Sequence, residues 1–390
     1  MRRAATFDNP YRLSPHVTPR AYRLHLEPDI EAARFTGRVE IDLELTEATS
    51  AITLNALDLD IQPGSLRVGP EVLTSAPVSR DADYETVTFD FSRSVPAGPV
   101  SLSVEFAGVL NDQLHGFYRS SYVDAHGVTR TIATTQFEST DARRAFPCFD
   151  DPAQKATFEI TLVVPGDMGA FSNSAEVASR ELADGRREVR FAPTMVMSTY
   201  LVAFVVGPFE ATAERLVLGV PTRVVHPVGK GHLSGFALEL LEHALVFFSE
   251  YFDRPYPGDK IDLVAVPDFA AGAMENLGCV TFREEYLLID PAVATDAEMR
   301  QVALVVNHEV AHMWFGDLVT MEWWEGIWLN EALRPSWRRS ARITSVPTGA
   351  AGSTSPASAT RPSPWTLSTR RVPLSTVSSR RTSAGACSTC

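Results

Sequence analysis

The stretch TDAEMRQVALVVNHEVAHMWFG (295–316) decides how the chain is read. Thr295 followed three residues later by Glu298 is a capping-box pattern, and Gly316 is a natural stop, so one helix is expected here. Inside it lies HEVAH, His308 to His312. Histidines at i and i+4 share a helical face one turn apart, so both imidazoles can reach a single metal ion. Glu309 projects beside them, close enough to deprotonate a water held by that metal. On these five residues alone a blander reading stays open: a buried amphipathic helix whose histidines satisfy local hydrogen bonds.

Reading forward weakens that alternative. A structural zinc needs four protein ligands, whereas a catalytic one needs three and an open position. The four cysteines, Cys148, Cys279, Cys387 and Cys390, form no cluster with zinc-ribbon spacing. Eighteen residues separate His312 from Glu331, in WWEGIWLNEA (323–332). A carboxylate there, on a following helix, completes a two-His, one-Glu set for one zinc ion per chain. The alternative for Glu331 is a solvated acidic helix residue. Upstream, AAGAMENLGCVTFREEYLLID (270–290) carries Glu275 in a Gly-rich, extended stretch. A carboxylate near such a site can pair with a substrate's free α-amine and so fix cleavage after the first residue. Its alternative is a polar turn between two strands.

Working outward, residues 1–205 read as β-structure. YRLHLEPDI, GRVEIDLEL, AITLNALDLDI, TVTFDF and VSLSVEFAGV alternate apolar and polar residues between Gly, Pro, Asp and Asn. KATFEITLVVP and TYLVAFVVGPF continue the pattern. Antiparallel sheets, sandwiched or saddle-shaped, are expected. From 206 to 333 the texture changes. SGFALELLEHALVFFSEYF (234–252) has helical spacing, and KIDLVAVPDF has the look of a short buried strand. Together these give a mixed α and β multidomain chain: an all-β part, then an α/β part. Residues 334–390 hold nine arginines and no acidic residue, lysine, phenylalanine or tyrosine, so disorder is expected there.

The totals limit the partners. The chain has 390 residues, 45% of them hydrophobic, and a formal net charge of −13, which disfavours nucleic acid. Neither a secretory signal nor an apolar run long enough for a membrane span is visible. Isolated Cys148 and Cys279 suit a reduced compartment, so a cytoplasmic location is expected. Oligomeric state is not readable.

GAMEN (272–276), HEVAH, the eighteen-residue spacer and Glu331 together resemble the aminopeptidase N family of zinc metallopeptidases. TTQFESTDARRAFPCFDDP (134–152) resembles the family's N-terminal loop that reaches the active site, and MWFGDLVTMEWWEGIWLNEA (313–332) matches the stretch after its zinc helix. The resemblance implies a β-saddle domain followed by a thermolysin-like catalytic domain. It implies an enzyme that releases N-terminal residues from peptides bearing a free amine. His308, His312 and Glu331 would bind zinc, and Glu309 would act as general base on the metal's water and then as proton shuttle. Glu275 and Gln136 would hold the α-amine with help from Glu331. The backbone around Gly272 and Ala273, with Met274 and Asn276 in the same motif, would line the substrate like an added strand.

The resemblance stops near residue 333. Family members continue with more helices and carry a downstream tyrosine that stabilises the oxyanion, a type of donor whose loss costs about 10²–10³ in rate. No tyrosine follows Tyr286 here. Pro335 would end or kink the helix that carries Glu331. A shift of reading frame near Ala332–Leu333 accounts for the change of composition, with a genuine Ser/Arg-rich tail as its rival. The expected catalytic domain is therefore incomplete, and an inactive fragment that keeps partial zinc binding is the alternative to an active enzyme.

Overall fold

A computed structural model describes residues 9–331, apart from residue 125. The tail 334–390, with Pro335 and the Cys387/Cys390 pair, lies outside the described residues.

The alternating segments form the expected strands. Val17–Asp29, Arg34–Leu45 and Gly98–Val109 lie side by side, antiparallel, at the centre of a nine-stranded sheet. Along Arg34–Leu45 buried and solvent-facing residues alternate through its second half, which is the signature of a sheet with one wet face. Thr157–Pro165 joins the other side of Val17–Asp29 in parallel. Thr49–Asn55, Thr86–Val95 and Ser79–Asp81 make a three-stranded sheet. Gly116–Val123, Thr129–Gln136, Phe204–Gly207 and Gly169–Ser172 make a four-stranded one. TYLVAFVVGPF is only partly a strand: Thr199–Leu201 is a 3-10 turn, and pairing starts at Phe204. The run's apolar character reflects burial of both conformations, which alternation alone cannot separate.

A six-stranded mixed sheet starts at Phe209–Ala211. Its strands Val220–Pro227, Ile261–Val266 and Cys279–Arg283 are mutually parallel. Ile261–Val266 is buried at every position, as a parallel strand covered on both faces must be. The first crossover is made by helix α1 (Gly235–Phe252), which ends on Asp253 in the left-handed conformation. Helix α2 (Asp296–His312) packs against α1. Its capping box is formed: Thr295 Oγ1 accepts from the Glu298 amide and the Glu298 carboxylate accepts from the Thr295 amide. The helix stops at His312, not at Gly316; Met313 caps it and the chain then turns. A five-residue helix, α3 (Ile327–Glu331), follows. The architecture is thus a mostly-β N-terminal part followed by part of a mixed α/β domain with few helices.

Buried apolar residues run as one cluster from Val17 to Trp314, across the expected boundary near residue 205. Polar contacts cross it too. Tyr118 donates to the Asp268 carbonyl (3.1 Å), Asn173 to the Leu277 carbonyl (2.9 Å), and Lys260 to the Ser172 carbonyl (2.6 Å). Cys148 and Cys279 are free thiols inside this core, and burial pushes the Cys279 thiol up to about 12. No helix of the described residues is long and apolar enough to cross a membrane.

Candidate active site

Helix α2 turns one face into the core through Val302, Val306 and Val310, and the same burial carries Glu309 and His312 with it. His308 and His312, one turn apart, aim their Nε2 atoms at each other at 3.1 Å. The His312 ring is oriented by its own neighbourhood: Nδ1 donates to the Phe315 carbonyl (3.1 Å), which leaves Nε2 as a bare acceptor. Burial, the larger cause, and the neighbouring His312 hold the His308 imidazole below its ordinary range, against the raising influence of Glu331. Burial and His312 both favour the neutral imidazole, the form a metal requires.

Helix α3 brings Glu331 to the same point. Its carboxylate oxygens lie 3.4 Å from His308 Nε2 and 3.8 Å from His312 Nε2. A tetrahedral zinc ion with bonds of about 2.0–2.1 Å has donors about 3.3 Å apart. The separations 3.1, 3.4 and 3.8 Å straddle that edge, so the donor set fits such an ion. Glu309, buried, sits between the two histidines in sequence on the same helix.

A second acidic group adjoins the first. Glu138, Glu275 and Glu331 bring carboxylate oxygens within 4.8 Å of one another, so Glu331 belongs to both groups. Glu275 follows the short strand Ala273–Met274, which pairs antiparallel with Cys279–Arg283, and its Oε1 accepts from Asn330 Nδ2 (3.0 Å). Glu138 follows the strand that ends at Gln136. Burial first, then repulsion from Glu275 and Glu331, pushes its carboxyl up to about 9. Three buried acceptors around this point, Gln136 Oε1, Glu138 Oε1 and Asn330 Oδ1, have no donor among the described residues. The pocket is thus rich in acceptors and short of donors and positive charge. The loop that presents Glu138 is pinned by Arg143, which donates to Asp150 (3.0 Å) and Glu85 (2.8 Å).

The remaining residues of the motif divide by the strand's alternation. Met274 is buried and its sulfur receives Gln136 Nε2 at 3.5 Å; Asn276 is buried and donates to Thr281 Oγ1 (3.1 Å). Both side chains are occupied inside the protein. The Gly272 carbonyl accepts from the Arg283 amide, while Ala273 is half-buried. Sequence reasoning passed over Glu138, Asn330 and Asp317. Glu138 stood two residues past Gln136 in the quoted loop, and nothing in that spacing separates it from an ordinary loop carboxylate. Asp317 is fully buried, and burial, with Glu275 nearby, raises its carboxyl well above the usual range.

Gly316 explains how the chain turns so tightly after α2. Its φ is +142°, and a Cβ there would stand 2.8 Å from Asn330 Oδ1 and 3.2 Å from His312 Nδ1. Only glycine lets the backbone pass between a histidine of the first group and the Asn330 amide that bonds Glu275 of the second.

Comparison with known proteins gives the lineage. The Peptidase M1 N-terminal domain matches residues 18–201 and the Peptidase family M1 domain matches residues 236–349. Aminopeptidase M1-A of Oryza sativa subsp. japonica is 44% identical over 333 residues, which are 84% of this chain and 38% of the relative. Aminopeptidase M1 of Arabidopsis thaliana is 45% identical over 324 residues, 82% of this chain and 37% of the relative. The puromycin-sensitive aminopeptidase of Caenorhabditis elegans is 43% identical over 322 residues, 82% and 34% respectively. The chain spans less than two fifths of the length of these curated relatives.

Proposed function

The chain belongs to the M1 family of peptidases, and on that premise we propose a zinc-dependent aminopeptidase site. The observation that carries the reading is the sharing of Glu331 between two adjoining groups, one of histidines and one of carboxylates. A metal group alone would suit any metallopeptidase. A donor-starved carboxylate pocket touching it suits an ammonium, which brings one positive charge and three N–H donors. Because the two groups share Glu331, an amine held by the carboxylates would sit beside the metal group, which favours cleavage close to the substrate's N-terminus.

His308, His312 and Glu331 would hold one zinc ion, which when bound supplies Lewis acidity and lowers the pKa of water to about 7. The protein's own groups do the rest. Glu275 and Glu138, with the Gln136 Oε1 acceptor, hold the α-amine and set the substrate's register. The backbone at Gly272 and Ala273 lies along the edge of a short strand, where an extended peptide can add by main-chain hydrogen bonds. Glu309 takes a proton from the attacking water and delivers it to the leaving amine.

The test is a metal and activity assay on the full chain. One equivalent of zinc is expected, together with hydrolysis of an aminoacyl-naphthylamide that stops with chelator, with Glu309→Ala and with an N-acetylated substrate. Zinc bound without turnover would leave a metal-binding relative that does no chemistry. Absence of metal binding would refute the site.

A further inference from the structure

The two histidines and Glu331 are held by different means. His308 and His312 sit on a long capped helix with side chains 11% and 1% exposed, whereas the Glu331 side chain is 43% exposed on a helix of five residues. Between them, residues 313–326 contain one isolated bridge (Phe315–Val319) and one 3-10 turn (Trp324–Gly326). A connector with so few ladder bonds leaves carbonyls that need donors from elsewhere.

Thr320 Oγ1 donates to the carbonyls of Gly316 and Asp317 from within the connector, and the further donors come from the N-terminal part. Lys155 Nζ donates to the carbonyls of Asp317 (2.9 Å) and Leu318 (3.2 Å). Tyr200 donates to the Gly316 carbonyl (3.2 Å), and its ring meets Trp324 edge-on at 5.4 Å. Arg12 donates to the Glu322 carbonyl (2.5 Å), lies 4.6 Å above the Trp323 ring, and has its Nε 3.5 Å from the Asp151 carboxylate. Arginine suits this place because its planar fork can stack on a ring while donating in its own plane.

We propose that Arg12 and Lys155 are positioning residues for Glu331. They clamp the connector at two points, so the β-rich N-terminal part sets the affinity of the metal group. The inference rests on the metal reading of that group. Groups that orient a ligand typically affect metal affinity by about 10–100-fold when removed.

Zinc affinity of the full chain is measured by chelator competition, with the absorption spectrum of the cobalt-loaded protein as a second readout. Arg12→Met and Lys155→Met should each weaken zinc by roughly 10-fold or more and alter the cobalt spectrum. Arg12→Lys, which keeps the cation and loses the fork, should recover part of the affinity. The control is Arg23→Ala, which removes pairs with Asp42 and Glu40 on the large sheet. It should lower the melting temperature and leave zinc affinity unchanged. Parent-like affinity in both Met variants overturns the proposal, and so does an equal loss in Arg23→Ala. If Arg12→Met does not fold, Lys155→Met and Arg12→Lys decide the matter. A parent chain that binds no metal refutes the proposed function and this inference with it, whereas a zinc-binding parent with unaffected variants refutes this inference alone.

Discussion

Glu138→Gln tests whether the carboxylate pocket is built for a cation. In the structure the Glu138 carboxyl titrates at about 9 against an ordinary value of 4.5, because it is buried first and repelled by Glu275 and Glu331 second. A folded-state pKa above the unfolded one means the folded chain binds more protons between pH 4.5 and 9. Stability contributed by this group is therefore highest below the unfolded value and falls as pH rises through that window. Each pH unit of such a gap corresponds to 1.36 kcal/mol, so between pH 5 and pH 8 the parent should lose on the order of 4 kcal/mol at this residue. Glutamine keeps the shape without the charge, so the variant should lack this slope. Urea unfolding of the metal-free chain at pH 5, 6, 7 and 8 measures it, and titrating groups outside the pocket cancel in the comparison. At the same time the variant should bind an α-amino amide more weakly, because an ammonium in the pocket favours the ionised carboxylate and glutamine cannot ionise. Equal pH slopes in parent and variant would refute the account of the pocket as an excess of buried negative charge.

Three further outcomes follow from particular residues. Glu309→Gln should retain one equivalent of zinc while any peptidase turnover falls by about 10²–10⁴, read by metal analysis beside the naphthylamide assay. Gly316→Ala should destabilise the chain by about 1–3 kcal/mol through its backbone conformation alone, and by more through the contact with Asn330, as thermal unfolding would register. Thr295→Ala removes the formed capping box of α2 and should cost about 1 kcal/mol, with zinc affinity changed little because His308 and His312 lie at the far end of the helix.

The sequence by itself determined most of the local elements and the common face of the two histidines. The period-two runs gave the strands, Thr295 and Glu298 gave the start of α2, and i, i+4 spacing placed His308 and His312 on one face, because these depend on neighbours within a few residues. Glu331 was legible through its spacing from HEVAH within a recognised pattern. Tertiary structure alone decided what surrounds these groups. Glu138, Glu275 and Asn330 are far apart in the chain and meet because strands from two sheets and a short helix end at one place. The end of α2 at His312 and the tight passage at Gly316 depend on that crowding, which no propensity encodes. Arg12 and Lys155 look like ordinary surface cations in the sequence. Their partners are backbone carbonyls more than 150 residues away, and a backbone carbonyl leaves no mark in a sequence to show who will donate to it.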